Sequence, residues 1–183
     1  MEHRSPHRLP PVTLVLGGAR AGKSRHAEGM ILASGASQAL YIATAEAGDV
    51  EMATRIAAHR ARRDARWTTV EAPLELGEAL AAGAMPDRPV LIDCLTLWLS
   101  NLIHAGHDSD EATDRLEEAL EALPCAVVMV SNEVGLGIVP DNRLARDFRD
   151  LAGRMNQRLA QRADRVVFVA AGLPLLLKDR PTP

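Results

Sequence analysis

Lys23 and Ser24 follow directly on a glycine-rich turn, and Gly17-Gly18-Ala19-Arg20-Ala21-Gly22-Lys23-Ser24 fits the spacing G-x-x-x-x-G-K-[ST]. Glycines at such positions let the backbone curl until several N–H groups point at one phosphate chain, and the start of a following helix adds partial positive charge. A lysine there supplies a mobile cation for the β- and γ-phosphates, and the Ser24 hydroxyl is a ligand for Mg²⁺. A strand-to-helix turn that binds nothing has no use for Lys-Ser at the mouth of the helix. The motif implies a bound nucleoside triphosphate.

Further groups could complete such a site. Asp93 is the lone acid ending the run Val90-Leu91-Ile92. If its strand neighbours that of the phosphate loop, its carboxylate lies level with the phosphates and can hold the metal or its waters. Its competing role is to cap the helix that begins near Leu95. His59 sits among Arg55, Arg60, Arg62 and Arg63, a cationic helix face in a chain of net charge −3. It is either a solvated surface residue or a nucleophile or acid–base group among phosphate-binding arginines, held neutral by the flanking cations. Composition does not decide between these. Arg143, Arg146 and Arg149 lie near the start of a long helix, where Asp147 and Asp150 can pair with them, and Arg143 is the best placed for an anion. Asn132 and Glu133 end a strand and could position a substrate hydroxyl or serve as caps.

The elements that position these residues alternate along the chain. Strands are predicted at Val12–Leu16, Ala39–Ala43, Trp67–Val70, Val90–Asp93, Ala126–Val130 and Arg165–Ala170, with an edge strand at Leu173–Leu177. Between them the periodicity predicts helices after Ser24, from Asp49 to Arg63, Pro73 to Leu80, Leu95 to Ile103, Glu111 to Leu123 and Asn142 to Ala163. His104 and His107 are read as residues of a polar break. Continuous apolar runs such as Val90–Ile92 suit parallel strands buried on both faces. The expectation is an α/β domain with a largely parallel central sheet flanked by helices, ligands gathering beyond the strand C-termini.

A length of 183 residues suits one domain with a sizeable core, here residues 11–183 behind a Pro-broken tail at 1–10. The acidic net charge and an aromatic content of 3% argue against nucleic-acid binding. Cys94 and Cys125 both adjoin apolar runs and are read as buried thiols in a reducing compartment. No apolar run is long enough to span a bilayer and no leader-like segment opens the chain, so the expected location is the cytoplasm, without membrane insertion.

Four stretches in order resemble one family. They are Gly17 to Glu28, Tyr41-Ile42-Ala43-Thr44-Ala45, Glu51 to Ile56 leading to His59-Arg60, and Ser131-Asn132-Glu133-Val134-Gly135-Leu136-Gly137-Ile138-Val139-Pro140-Asp141-Asn142-Arg143-Leu144-Ala145-Arg146. Over about residues 12 to 178 the chain is similar to the bifunctional adenosylcobinamide kinase / adenosylcobinamide-phosphate guanylyltransferases of cobalamin (vitamin B12) biosynthesis. Ala21 departs from the serine usual inside the loop, a change tolerated because the loop works through backbone N–H groups. The resemblance implies a RecA-like P-loop NTPase fold and trimeric assembly. It also implies phosphorylation of adenosylcobinamide by ATP or GTP, then GMP transfer from GTP to adenosylcobinamide phosphate through a GMP-histidine intermediate. By this resemblance His59 is the nucleophile, and Lys23 serves catalysis. Nucleotide contacts fall on Gly17 to Ser24, Ile42, Ala43, Thr44, Arg60, Ala61, Arg62, Arg63, Glu71 and Asp93.

Overall fold

The structure is a computed structural model that describes residues 8–45, 57, 61 and 63–180. Its strands are β1 (Val12–Gly17), β2 (Ala39–Ala43), β3 (Trp67–Glu71), β4 (Val90–Asp93), β5 (Val127–Val130), β6 (Arg165–Ala170) and β7 (Leu173–Asp179). The described helices are α1 (Lys23–Ala33), α2 (Leu76–Gly83), α3 (Leu95–Ala105), α4 (Ser109–Glu121) and α5 (Arg143–Arg162).

All these strands join one sheet in the order β3-β2-β4-β5-β1-β6-β7. Every pairing is parallel except β6 with β7. The two-residue turn between those antiparallel strands is Ala171-Gly172, with φ of 51° and 80°. Positive φ at both positions is the geometry that matches the twist of a tight hairpin.

Side chains alternate across the strands, so each apolar run feeds two cores. Leu14, Ile42, Ile92 and Met129 belong to one, where α2, α3, α4 and α5 cover the sheet. Val15, Tyr41, Leu91 and Val130 belong to the other, against Ala27 and Ile31 of α1. Burial on both faces is why Val90, Leu91 and Ile92 are all fully buried and show no polar alternation.

The strand order corrects one premise. β4 does not neighbour β1, because β5 lies between them. The registers Asp93↔Val130 and Val15↔Val130 nevertheless put Asp93 in the row just below the phosphate loop.

Local boundaries moved for identifiable reasons. α2 starts at Leu76 instead of Pro73, since the carbonyls of Pro73 and Leu74 accept from Asn101 Nδ2 at 3.1 Å and Trp98 Nε1 at 2.7 Å. His104 belongs to α3, its Nδ1 lying 2.7 Å from the Ser100 carbonyl, and the polar break begins only at Gly106. Of the helix expected from Asp49 to Arg63, only Ala57, Ala61 and Arg63 are described, and the first two are helical. Of the expected tail, residues 1–7 lie outside the described residues. No described helix is long and apolar enough to cross a membrane.

Candidate nucleotide-binding site

The phosphate loop hangs between the end of β1 and the start of α1. Gly17 adopts φ of 151°, and a Cβ there would lie 2.3 Å from the carbonyl oxygen of Val169 on β6. Only glycine lets β1 pass β6 that closely. Gly22 caps α1 in a left-handed conformation with φ of 99° and makes no side-chain hydrogen bond, so no side chain competes for the first N–H groups of the helix. The loop is braced from the far side by Gly172, whose N–H donates to Ala21 O at 2.9 Å.

Lys23 is buried, and its Nζ donates to Gly18 O at 2.6 Å. Burial depresses its pKa, while Cys94 and Asp93 pull in the opposite direction. Asp93 therefore stands within electrostatic reach of the loop lysine even though β5 separates their strands.

A second cluster forms where β2 and β4 end side by side. Thr44 Oγ1 donates to Cys94 O and accepts from Cys94 N–H, both at 2.8 Å. Asn101 Nδ2 holds the Thr44 carbonyl at 2.8 Å. Tyr41 hydroxyl donates to Asp93 Oδ2 at 2.9 Å. The guanidinium of Arg63 lies over the Tyr41 ring, 3.6 Å from its centroid, and its Nη1 donates to Thr69 Oγ1 at 3.3 Å. Ala43 pairs in register with Glu71 on one side and Asp93 on the other. The structure thus brings Thr44, Glu71, Arg63 and Asp93 to one end of the sheet. Ile42 is fully buried, so any nucleotide contact it makes is through its backbone. Ala61 is exposed, and His59, Arg60 and Arg62 lie outside the described residues.

Asp93 is not a helix cap: Cys94 holds that position before α3, and no side-chain hydrogen bond is made there. Asn132 and Glu133 cap no described helix either. The Asn132 N–H donates to Thr96 Oγ1 at 2.6 Å, and its carbonyl accepts from Asn156 Nδ2 at 3.1 Å. Ser131 Oγ donates to Asn156 Oδ1 at 2.7 Å and lies 3.2 Å from Thr96 Oγ1. This buried network holds the segment after β5 against the loop, where Glu133 N–H donates to Gly17 O at 3.0 Å. The arginines of α5 separate in role. Arg143 is exposed and faces Asp147 at 3.4 Å, Arg146 donates to the carbonyls of Pro140 and Asp141, and Arg149 pairs with Asp150 at 3.0 Å.

Tyr41, the Thr44–Cys94 clasp and the Ser131–Asn156 network escaped the sequence reading. Tyr41, Thr44 and Ser131 stand in the stretches that carry the family resemblance, but neither those stretches nor polarity beside an apolar run says anything about the partner. As to a metal, the described residues contain no group of His, Cys, Asp and Glu that would hold one unaided. The Ser24 hydroxyl and Asp93 carboxylate are oxygen donors, a sparse set that fits Mg²⁺ because Mg²⁺ keeps waters and substrate phosphates as its remaining ligands.

A glycine loop between a central parallel strand and a helix, under a sheet of this order, defines a P-loop NTPase. A solved ATPase domain shares the fold with a TM-score of 0.55 at 14% identity, over 95% of this chain and 78% of that one. The flagellar accessory protein FlaH from Methanocaldococcus jannaschii does so with a TM-score of 0.55 at 10% identity, over 94% and 80%. The particular assignment is narrower: the chain belongs to the CobU family, cobinamide kinase / cobinamide phosphate guanyltransferase, whose family model matches residues 13–177. It is 50% identical over 170 residues to the bifunctional adenosylcobalamin biosynthesis protein CobP of Pseudomonas aeruginosa, covering 92% of this chain and 98% of that protein. It is 46% identical over 180 residues to the bifunctional adenosylcobalamin biosynthesis protein CobU of Salmonella typhimurium, covering 90% and 98%.

Proposed function

We propose that the chain phosphorylates adenosylcobinamide with ATP or GTP. It then transfers GMP from GTP to adenosylcobinamide phosphate, giving adenosylcobinamide-GDP and pyrophosphate. The observation that carries this reading is the buried Lys23 on its glycine loop, with Asp93 in electrostatic reach, in a chain matched to the family from residue 13 to residue 177.

In the kinase step Lys23 and the loop N–H groups bear on the γ-phosphoryl oxygens as the substrate hydroxyl attacks and gives up its proton. The bond from the γ-phosphorus to the β-phosphate oxygen breaks to release the nucleoside diphosphate. Ser24 and Asp93 would hold Mg²⁺, which would supply positive charge against the charge developing on the transferred group. In the transfer step a ring nitrogen of neutral His59 attacks the α-phosphorus of GTP, and the bond to the β-phosphate oxygen breaks to release pyrophosphate. A phosphate oxygen of the substrate then attacks the same phosphorus and the P–N bond breaks, returning the imidazole. Arg60, Arg62 and Arg63 screen the charge, while Ile42 to Thr44, Ala61 and Glu71 contact the nucleotide. Residues 11–183 act as one domain, assembled as a homotrimer in the cytoplasm.

The test is labelling with α-³²P-GTP and Mg²⁺ followed by denaturation, on wild type and His59→Ala. Acid-labile, base-stable label on wild type alone, with kinase activity kept in the variant, is expected. No label on a wild type that binds GTP would reduce the chain to a P-loop kinase or switch. Equal loss of both activities in His59→Ala would make His59 structural. Lys23→Ala should abolish both reactions, and a variant with intact transfer would refute a shared phosphate site.

A further inference from the structure

An open cavity of about 620 Å³ lies on the flank of α1, beside the phosphate loop and away from the Thr44–Asp93 cluster. Arg20, Ala21, Arg25, His26, Met30 and Gly172 are among its walls. Ala21 belongs both to the loop and to the cavity, so a ligand with its phosphates on the loop reaches the cavity without a break. Gly172, at the turn between β6 and β7, lies across β1 from β4, β2 and β3 in the sheet order. A phosphate chain on this loop therefore has two directions in which its nucleoside can leave: toward Thr44 and Glu71, or toward Met30 and Gly172.

The volume falls within the range of nucleotide-sized pockets. The walls bring two guanidinium groups, an imidazole and a thioether, with no carboxylate or carboxamide among the described residues that line it. Guanidinium and thioether groups lie well against any purine face. Burial favours the neutral form of His26, which adds a further flat surface. No carboxylate among the described residues of these walls accepts from both N1–H and the 2-amino group of guanine, whereas the Glu71 side chain at the end of β3 is a carboxylate.

The backbone agrees with a built site. Arg20 adopts a left-handed φ of 58°, uncommon for a residue with a Cβ, and this conformation sets an arginine at the cavity wall. A Cβ on Gly22 would meet Gly172 Cα at 3.4 Å, so loop and turn close on each other, while a Cβ on Gly29 would meet nothing within 4 Å.

We propose that this cavity is the nucleoside subsite of the phosphoryl donor, taking adenosine or guanosine alike, while the GTP consumed in GMP transfer lays its guanine on the Thr44–Glu71 side of the same loop. The proposal rests on the two-step function for its second half. It explains how one phosphate loop can serve a base-tolerant kinase and a guanine-specific transferase.

Gly29→Trp fills the cavity from a helix position with open space at its Cβ. The KM values for ATP and for GTP in adenosylcobinamide phosphorylation should both rise about tenfold or more, the scale of losing base stacking. Covalent GMP labelling by α-³²P-GTP should stay at the wild-type level. Unchanged KM values, or labelling that falls in step with kinase activity, would overturn the subsite. Photolabelling of wild type with 2-azido-ATP reads the same question without a variant. Label on the peptide spanning residues 20–33 or on the turn at Gly172 supports the cavity, and label confined to residues 42–44 or 71 refutes it. A wild type that neither phosphorylates adenosylcobinamide nor takes up GMP would defeat the two-step function, and the photolabel would still decide the cavity.

Discussion

The phenol of Tyr41 donates to Asp93 Oδ2 at 2.9 Å across 52 positions of sequence. This bond couples the interior of β2 to the acid at the end of β4. Burial raises the pKa of the phenol, the charge of Asp93 and the hydrogen bond raise it further, and Arg63 over the ring opposes. Tyr41 is therefore a fixed donor at neutral pH, and it orients the carboxylate proposed to serve Mg²⁺.

Tyr41→Phe keeps the ring, which lies edge-on to Trp67 with centroids 6.2 Å apart, and removes only the donor. Loss of a hydrogen bond to a charged group should lower stability by about 1.5–3 kcal/mol in urea denaturation. Kinase kcat should fall about tenfold with little change in nucleotide KM, since the orientation of a charge near the reacting group is lost. A variant with wild-type kcat would show that Tyr41 does not set the working geometry of Asp93.

Gly17→Ala should cost about 3 kcal/mol or more, because the added methyl meets a backbone carbonyl that has no side-chain freedom to yield. Chemical denaturation measures the loss, and nucleotide affinity should fall with it because β1 carries the loop. Gly18→Ala is the control: a Cβ there meets nothing within 4 Å.

Alkaline stability should depend on Cys94. Its thiol is pushed up from 9.0 to about 12, first by burial and then by the charge of Asp93. The folded chain keeps a proton that the unfolded chain releases, so this stabilisation is complete below pH 9.0 and is lost as pH rises toward 12. Lys23, shifted downward, works in the opposite sense below 10.5. Cys94→Ala retains the backbone groups that clasp Thr44 and should flatten the fall in unfolding free energy between about pH 9 and pH 11. Equal slopes for wild type and variant would contradict a buried, protonated thiol.

Ser131→Ala should destabilise by about 2 kcal/mol, because Asn156 Oδ1 loses its donor inside the protein. The segment holding Asn132 and Glu133 should also loosen. Hydrogen exchange at the Glu133 N–H, bonded to Gly17 O, reports this directly. Exchange as slow as in wild type would mean that the β5 pairing alone holds the segment.

The phosphate loop, the α/β class and nearly every strand were legible in the order of residues alone. The reason is that these are local: glycine spacing before Lys-Ser dictates a turn, and an unbroken apolar run dictates a strand buried on both faces. Which strands adjoin was not legible. Val90–Ile92 and Val127–Val130 are interchangeable as apolar runs, and only packing against α1 on one face and α2 to α5 on the other placed β5 between β1 and β4. Partners distant in sequence were equally hidden. Tyr41 with Asp93, Thr44 with Cys94, and Ser131 with Asn156 are pairs of polar groups whose residue types fit many roles. The sheet register and the burial that forbids an unpaired donor or acceptor chose among them. The cavity beside α1 exists for the same reason: loop, helix and hairpin turn meet there only because β6 and β7 continue the sheet past β1.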